Sequence, residues 1–239
     1  MKIPFRSIEL LEARIAPAVL IAPGGHRASY NDVDGDEVVV KVSVGVLTAG
    51  NFVTKDVNGL DQLEIIDLSA GGFDGANLRI DVVKTHGGDD RVNIGYINST
   101  GHDLGSVWIK GDLGRIDAGS GSATVPAIES LSVRSMGQMG LDTQDGSGSL
   151  QSDIRGALGS LTIRHDLKGA FINVNDGANG SIGSVTIRGS LIGGMGLPNG
   201  DSKGEIYSSG DMGAVIILHD LQGGRLTDSG TIQSQGKMG

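Results

Sequence analysis

Five stretches of this chain repeat a short apolar pattern in a fixed rhythm, and that rhythm limits the folds open to it. They begin at Leu104, Ile128, Leu158, Ile182 and Met212, as in "LGSLTIRHDLK" and "IGSVTIRGSLI", with starts 24, 30, 24 and 30 residues apart. Self-similarity at such a period marks stacked units of one architecture. Within each copy, apolar residues fall at offsets zero, three, five and usually nine. Val107 with Ile109, Leu131 with Val133, Leu161 with Ile163, Val185 with Ile187 and Val215 with Ile217 form the inner pairs. Ser, Thr, Lys or Arg fill most intervening positions, which is the period-two signal of a strand with one buried face.

Glycine and Asp follow each strand, and a second short apolar stretch comes next: Ile116, Met139, Phe171 with Ile172, Met195 with Leu197, and Leu226. The longer spacers hold a third, "SLQSDIRG" or "GEIYSSG". Two or three short strands in each unit predict an all-β fold, a right-handed parallel β-helix with rungs of about 24–30 residues stacked about 4.8 Å apart. Propeller blades need about 40 or more residues and four strands each, too many for these spacers. "LDQLEIIDL" from Leu60 and "NLRIDVV" from Asn77 read as earlier, less regular rungs, with Leu78 placed 26 residues before Leu104.

The expected organisation is therefore a targeting-like segment or short helix over 1–25, an irregular β region over 26–59, and solenoid repeats over 60–239. In the middle region, "EVVVKVSVGV" predicts an alternating strand with Val38, Val40, Val42, Val44 and Val46 on one face, as a hairpin or as first rungs. Met238-Gly239 repeats Met212-Gly213, as though another rung were beginning, and no polar cap is visible. That reads as a fragment, a truncated product, or a unit completed by a partner through end-to-end association.

Composition narrows the function classes. Glycine accounts for 41 of 239 residues without a collagen period, and only eight residues are aromatic, which suits a core of small aliphatic rows. A formal charge of −9 argues against nucleic acid as a partner, since phosphates call for a basic footprint. With no cysteine, thiolate chemistry and Cys-ligated zinc are excluded. No apolar run reaches the ~18 residues of a membrane span.

The N-terminus, "MKIPFRSIELLEARIAPAVLIAPGG", carries Lys2 and Arg6 ahead of an apolar stretch interrupted by Glu9, Glu12 and Arg14. It reads either as an export signal with a small-residue cleavage site at Ala16-Pro17-Ala18, or as an amphipathic helix with Ile8, Leu11 and Ile15 on one face. "LLEARIAPA" resembles the short LEPR-XLL-type motif at the start of large bacterial extracellular repeat proteins. Leu11-Glu12-Ala13-Arg14 stands where the motif has Leu-Glu-Pro-Arg. Ile15-Ala16 departs from its leucines. The resemblance implies an extracellular or cell-surface location.

Four residue groups are candidates for chemistry. Asp32, Asp34 and Asp36 resemble oxygen-rich calcium loops, although Gly35 and Ser43 depart from the EF-hand pattern; calcium is the one cofactor they would take. "HGGDDRVNIG" (86–95) resembles a single copy of a calcium-binding glycine nonapeptide, with a plain turn as the competing reading. Asp112, Asp166 and Asp220 share one repeat column, with His165 and His219 two rungs apart, and read as corner residues rather than an acid–base pair.

The fourth group is a cation column, Lys110, Arg134, Arg164 and Arg188, which takes one outward offset in four successive units. Like charges stacked at rung spacing repel, so neighbouring Asp or an anionic ligand must relieve them. The sequence thus predicts a non-enzymatic structural or adhesive surface solenoid, with a polysaccharide or cell-surface component as partner. The alternatives are a carbohydrate-active β-helix of the lyase or glycosidase kind and an acidic-polysaccharide-binding module.

Overall fold

The computed structural model describes residues 19–85, 87–144, 148–194 and 203–239. Among these residues there is no α-helix; regular structure is strand apart from two short 3-10 turns, Ala49–Asn51 and Asp142–Gln144. The strands form two sheets, of nine and twelve members. Both are dominated by parallel pairing between successive turns, so the fold is the expected parallel β-helix. The LEPR-like stretch, the N-terminal helix or signal, and Met195 with Leu197 lie outside the described residues.

The repeat becomes the parallel part of the first sheet. Leu104–Ile109, Ile128–Val133, Leu158–Ile163, Ile182–Ile187 and Val215–Ile217 stack in register, so that Leu131 faces Val107 on one side and Leu161 on the other. Ala76–Val83 extends this stack toward the N-terminus. There Ala76 pairs with Leu104 and Leu78 with Val107, a register shift between them. The expected equivalence of Leu78 with Leu104 is thus corrected, because an irregularity in the strand moves Leu78 to the next inward position.

After a corner the chain enters the second sheet. In the turn from Leu104 this wall is one long strand, Gly111–Gly119, and in later turns it divides. Ser135–Met136, Leu167–Lys168, Leu191–Ile192 and Leu221–Gln222 continue the stack below Asp112 and Leu113. Gln151–Ile154, Phe171–Val174, Glu205–Ser208 and Thr231–Ser234 continue it below Ala118. The second stretch in the turn from Ile128 is therefore built on Met136 rather than Met139, which is exposed. Leu226 likewise lies beyond the strand Leu221–Gln222.

This division explains the alternating repeat length. Turns starting at Ile128 and Ile182 carry long connections between the two halves of the second sheet, 137–150 and 193–204. Turns starting at Leu104 and Leu158 carry theirs at the return corner instead, 120–127 and 175–181. The turn from Met212 departs from the alternation: its connection, 223–230, lies at the same vertex as 193–204 and is tied to it by the Arg225 N–H bond to Gly194. The first part of the 137–150 connection, at Thr143 and Gln144, folds back over earlier turns. A Cβ on Gly95 or Gly114 would run into Thr143 or Gln144, so glycine at these bends makes room for it.

The N-terminal region is antiparallel. Leu20–Ile21, Arg27–Asn31 and Glu37–Val42 extend the first sheet as a meander beside Ala76–Val83. Phe52–Val57 forms a hairpin with Leu60–Asp67, which then pairs in parallel with Val92–Thr100. Val38, Val40 and Val42 are buried as expected, whereas Val44 and Val46 are exposed. The strand stops at Val42 because Gly45 takes φ 87° and turns the chain.

At the other end, Met212 bridges both Ile182 and Met238, so the stacking of this column continues to Met238. The inward rows are almost wholly aliphatic and buried as far as the turn from Ile182. In the following turn they open to solvent: Leu191 is 0% exposed and its stacked neighbour Leu221 is 56% exposed. Leu191→Ala is expected to cost about 2–5 kcal/mol in equilibrium unfolding. Leu221→Ala in the same column should cost less than about 1 kcal/mol at low protein concentration.

Candidate functional site

Two acidic glycine-rich loops, far apart in sequence, meet at the N-terminal end of the solenoid. The turn between Arg27–Asn31 and Glu37–Val42 carries Asp32, Asp34 and Asp36, and the loop leading into Val92–Thr100 carries Asp89 and Asp90. Asp36 accepts the Thr85 backbone N–H at 2.6 Å and the Asp90 N–H at 2.7 Å. Asp34 accepts the Asp89 N–H at 2.8 Å. A side chain at Gly88 would collide with the Asp36 carboxylate, so glycine here lets the loops close together.

Asp32, only 6% exposed, folds its carboxylate back to accept the backbone N–H groups of Asp36 at 2.9 Å and Asp34 at 3.3 Å. The carboxylates whose oxygens lie within 4.8 Å of one another are those of Asp34, Asp36 and Asp89. These could offer an all-oxygen set to a hard cation. The structure thus joins Asp34 and Asp36 with Asp89, while Asp32 shapes the turn. A cavity of about 50 Å³ beside them is lined by Asp32, Asp34, Asp61, Gln62, Asp89 and Arg91 among others.

Burial, then a proton shared with Asp34 and the charge of Asp34, push Asp32 up to about 7. Burial acts against ionisation of Asp34 as well. The bonds from Asp32 and from the Asp89 and Asp36 N–H groups outweigh it, and Asp34 is held below the ordinary carboxylate range. Burial and the charge of Asp34 raise Asp89. Below about pH 7 the cluster therefore holds a proton between Asp32 and Asp34, and backbone N–H groups do much of the remaining neutralisation.

The four basic residues do gather at the corner between the two sheets. Stacked backbone bonds run from the Arg164 N–H to Val133, from Arg188 to Ile163 and from Leu218 to Ile187. Arg134 departs from this register and donates to Gly111. Their partners differ. Lys110 forms an ion pair with Asp90 at 2.6 Å. Arg164 donates to the Ser132 hydroxyl at 3.2 Å, with its guanidinium 5.2 Å from the centre of the Trp108 ring.

The Asp column beside them is structural. Asp112 is buried and accepts the Ser135 hydroxyl at 2.7 Å and the backbone N–H groups of Gln138 and Met139, each at 3.2 Å. Asp166 accepts the Ser190 N–H at 2.8 Å, and the Ser190 hydroxyl accepts the Asp220 N–H at 3.2 Å. Each bond ties one turn to the next. His165 and His219 lie two turns apart, with Gly189 bonded between their backbones.

A second group escaped the sequence reading. Asp117 and Asp153, on adjacent turns of the second sheet, border a groove of about 390 Å³ with Arg155 and Gly119. Asp117 accepts the Tyr96 hydroxyl at 2.7 Å and the Asp153 N–H at 2.9 Å, and Arg115 lies 3.5 Å away over the Tyr96 ring. Asp153 accepts amide N–H groups from Asn173 at 2.7 Å and Gln151 at 2.8 Å. Burial raises Asp117 above the usual carboxylate range, against those donors. The 137–150 insertion gives the two Asp different repeat offsets, which conceals their meeting in the sequence.

Comparison with protein-family models, curated proteins and solved structures found no match.

The Asp32 proton sets a pH dependence whose sign is fixed. Its folded-state value of about 7 exceeds the ordinary 3.8 of an unfolded chain, so the native state retains a proton that the unfolded state releases. Its contribution to stability is full below about pH 4, falls through the window up to about 7 and is level above that. In Asp32→Asn the amide oxygen keeps the turn bonds and the NH₂ replaces the shared proton. Thermal melts from pH 5 to 8 are expected to show a flatter midpoint profile for this variant, and a higher midpoint than wild type at pH 8.

Proposed function

We propose that this chain is a non-enzymatic structural or adhesive β-solenoid of the cell surface or extracellular space. The observation that carries this reading is the use made of the corner carboxylates. Asp112 and Asp166 bind hydroxyl and N–H donors of the following turn, and in doing so lock the stack. Cross-links of this kind, repeated along an aliphatic core, serve a scaffold whose surface rather than whose pocket does the work. The N-terminal resemblance at Leu11–Arg14 agrees with an exported repeat protein.

End-to-end association belongs to the same proposal. Ile216, Leu218, Leu221 and Met238 are exposed on the turn from Met212, beside strand edges able to pair with a further β-layer.

The groove at Asp117 and Asp153 favours a second reading, a carbohydrate-active β-helix. Two carboxylates one rung apart, one of them raised by burial, are groups that glycosidic chemistry can use as acid and partner. Against it, both are engaged by protein donors. Incubating the purified chain with polyuronates and with neutral glucans, and measuring reducing ends and unsaturated products, is expected to show no turnover. Release that disappears in Asp117→Asn would establish the second reading and overturn the first.

A further inference from the structure

The outer face of the first sheet is a regular lattice that the repeat alone did not expose. Its outward positions form columns along the stacking axis. One carries Ser106, Ser130, Ser160 and Ser184 and ends at Ala214 in the turn from Met212. The next runs Trp108, Ser132, Thr162 and Thr186. Rungs are about 4.8 Å apart and alternate residues of a strand about 6.7 Å apart, so the hydroxyls form a flat grid. The basic corner borders this grid, and the chain's only tryptophan lies at its upper end, with Arg79 stacked 4.1 Å over the ring.

These groups differ from the Asp117 network in what they leave unused. Among the described residues, Ser160, Thr162, Ser184 and Thr186 make no side-chain hydrogen bond, and Arg134 and Arg188 make no ion pair. Arg134 is half-buried next to Arg91, and burial and that neighbour loosen its hold on the proton, against the charges of Asp89, Asp112 and Asp166. On a chain of net charge −9, this edge sets three arginines side by side next to hydroxyl donors, while the neighbouring Asp112 and Asp166 carboxylates are turned to donors of the following turn. Screening over about 8–10 Å confines the surrounding negative charge, so the edge acts on a ligand lying against it.

We propose that this face, with Arg134, Arg164 and Arg188 along one side and Ser132, Thr162 and Thr186 beside them, binds a linear acidic polysaccharide laid along the stacking axis. The proposal rests on the adhesive reading above and gives it a ligand class. Charge complementarity selects the polyanion. Carboxylates of successive sugars meet the arginine column, and sugar hydroxyls meet the Ser and Thr grid. Lys110 takes no part, because Asp90 already neutralises it.

The test is affinity electrophoresis of the full chain in gels containing sodium alginate, a polyuronate, or dextran, a neutral glucan. Expected are retardation by alginate alone, loss of retardation between about 0.05 and about 0.3 M NaCl, and binding about tenfold or more weaker in Arg134→Gln/Arg188→Gln. Lys110→Gln should bind as wild type does. Circular dichroism and melting of each variant keep the comparison on folded protein, and Arg188→Gln alone, at an exposed position, serves if the double variant unfolds. No retardation of a folded, cooperatively melting wild type overturns the polysaccharide proposal and leaves the scaffold standing. Equal retardation by polyphosphate or single-stranded DNA overturns the choice of a sugar polymer. A wild-type chain without a β spectrum overturns the scaffold reading itself, and this proposal with it.

Discussion

Backbone hydrogen bonds between one turn and the next hold equivalent residues about 4.8 Å apart, and most features of this molecule answer to that distance. At such spacing only identical or complementary side chains can share a column. Inside, the answer is rows of Leu, Ile and Val that present the same shape to each neighbour. At the corners it is an acceptor in one turn facing a donor in the next, as in Asp112 with Ser135 and Asp166 with Ser190. A stack of like charges would be costly, and the molecule rarely builds one. The basic corner is the exception, and partners reach only part of it.

Polar groups inside such a stack must find partners within the chain, and backbone N–H groups supply many of them. The acidic loops show this most clearly. Asp34 and Asp36 fasten one loop to another that follows about fifty residues later, largely by accepting main-chain protons. Carboxylates used in this way look from sequence like cation ligands, because both tasks call for closely spaced oxygen acceptors beside glycine. The same set could thus serve a closed loop or a hard cation.

The parallel stack was legible because its register is carried by residues that cannot exchange places: Val107, Leu131, Leu161 and Val185 point inward at a constant offset. Legibility failed wherever chain length between strands varied. A corner one residue shorter at Arg134 moved Met136 off the expected offset, and the 137–150 insertion hid the approach of Asp153 to Asp117. An irregularity near Ala76 shifted Leu78 by one inward position. The turn at Gly45 ended a strand that alternation alone would have continued. Of the candidate sites, the basic column was visible as a column. Its division into Lys110, taken by Asp90, and Arg134 and Arg188, without ion-pair partners among the described residues, depended on loops that no offset records.

The placing of long connections on alternate turns has a bearing on how a molecule of this kind changes over time. Between Leu104 and Ile182 one turn is not an interchangeable part, because duplicating or deleting it would break the alternation of the two kinds of long connection. Two turns together, the 54 residues from Leu104 to Leu158, restore every vertex to its starting state. The natural unit of growth is therefore the pair, and genetic gain or loss should respect it, much as a bricklayer's bond extends by courses that repeat every second row.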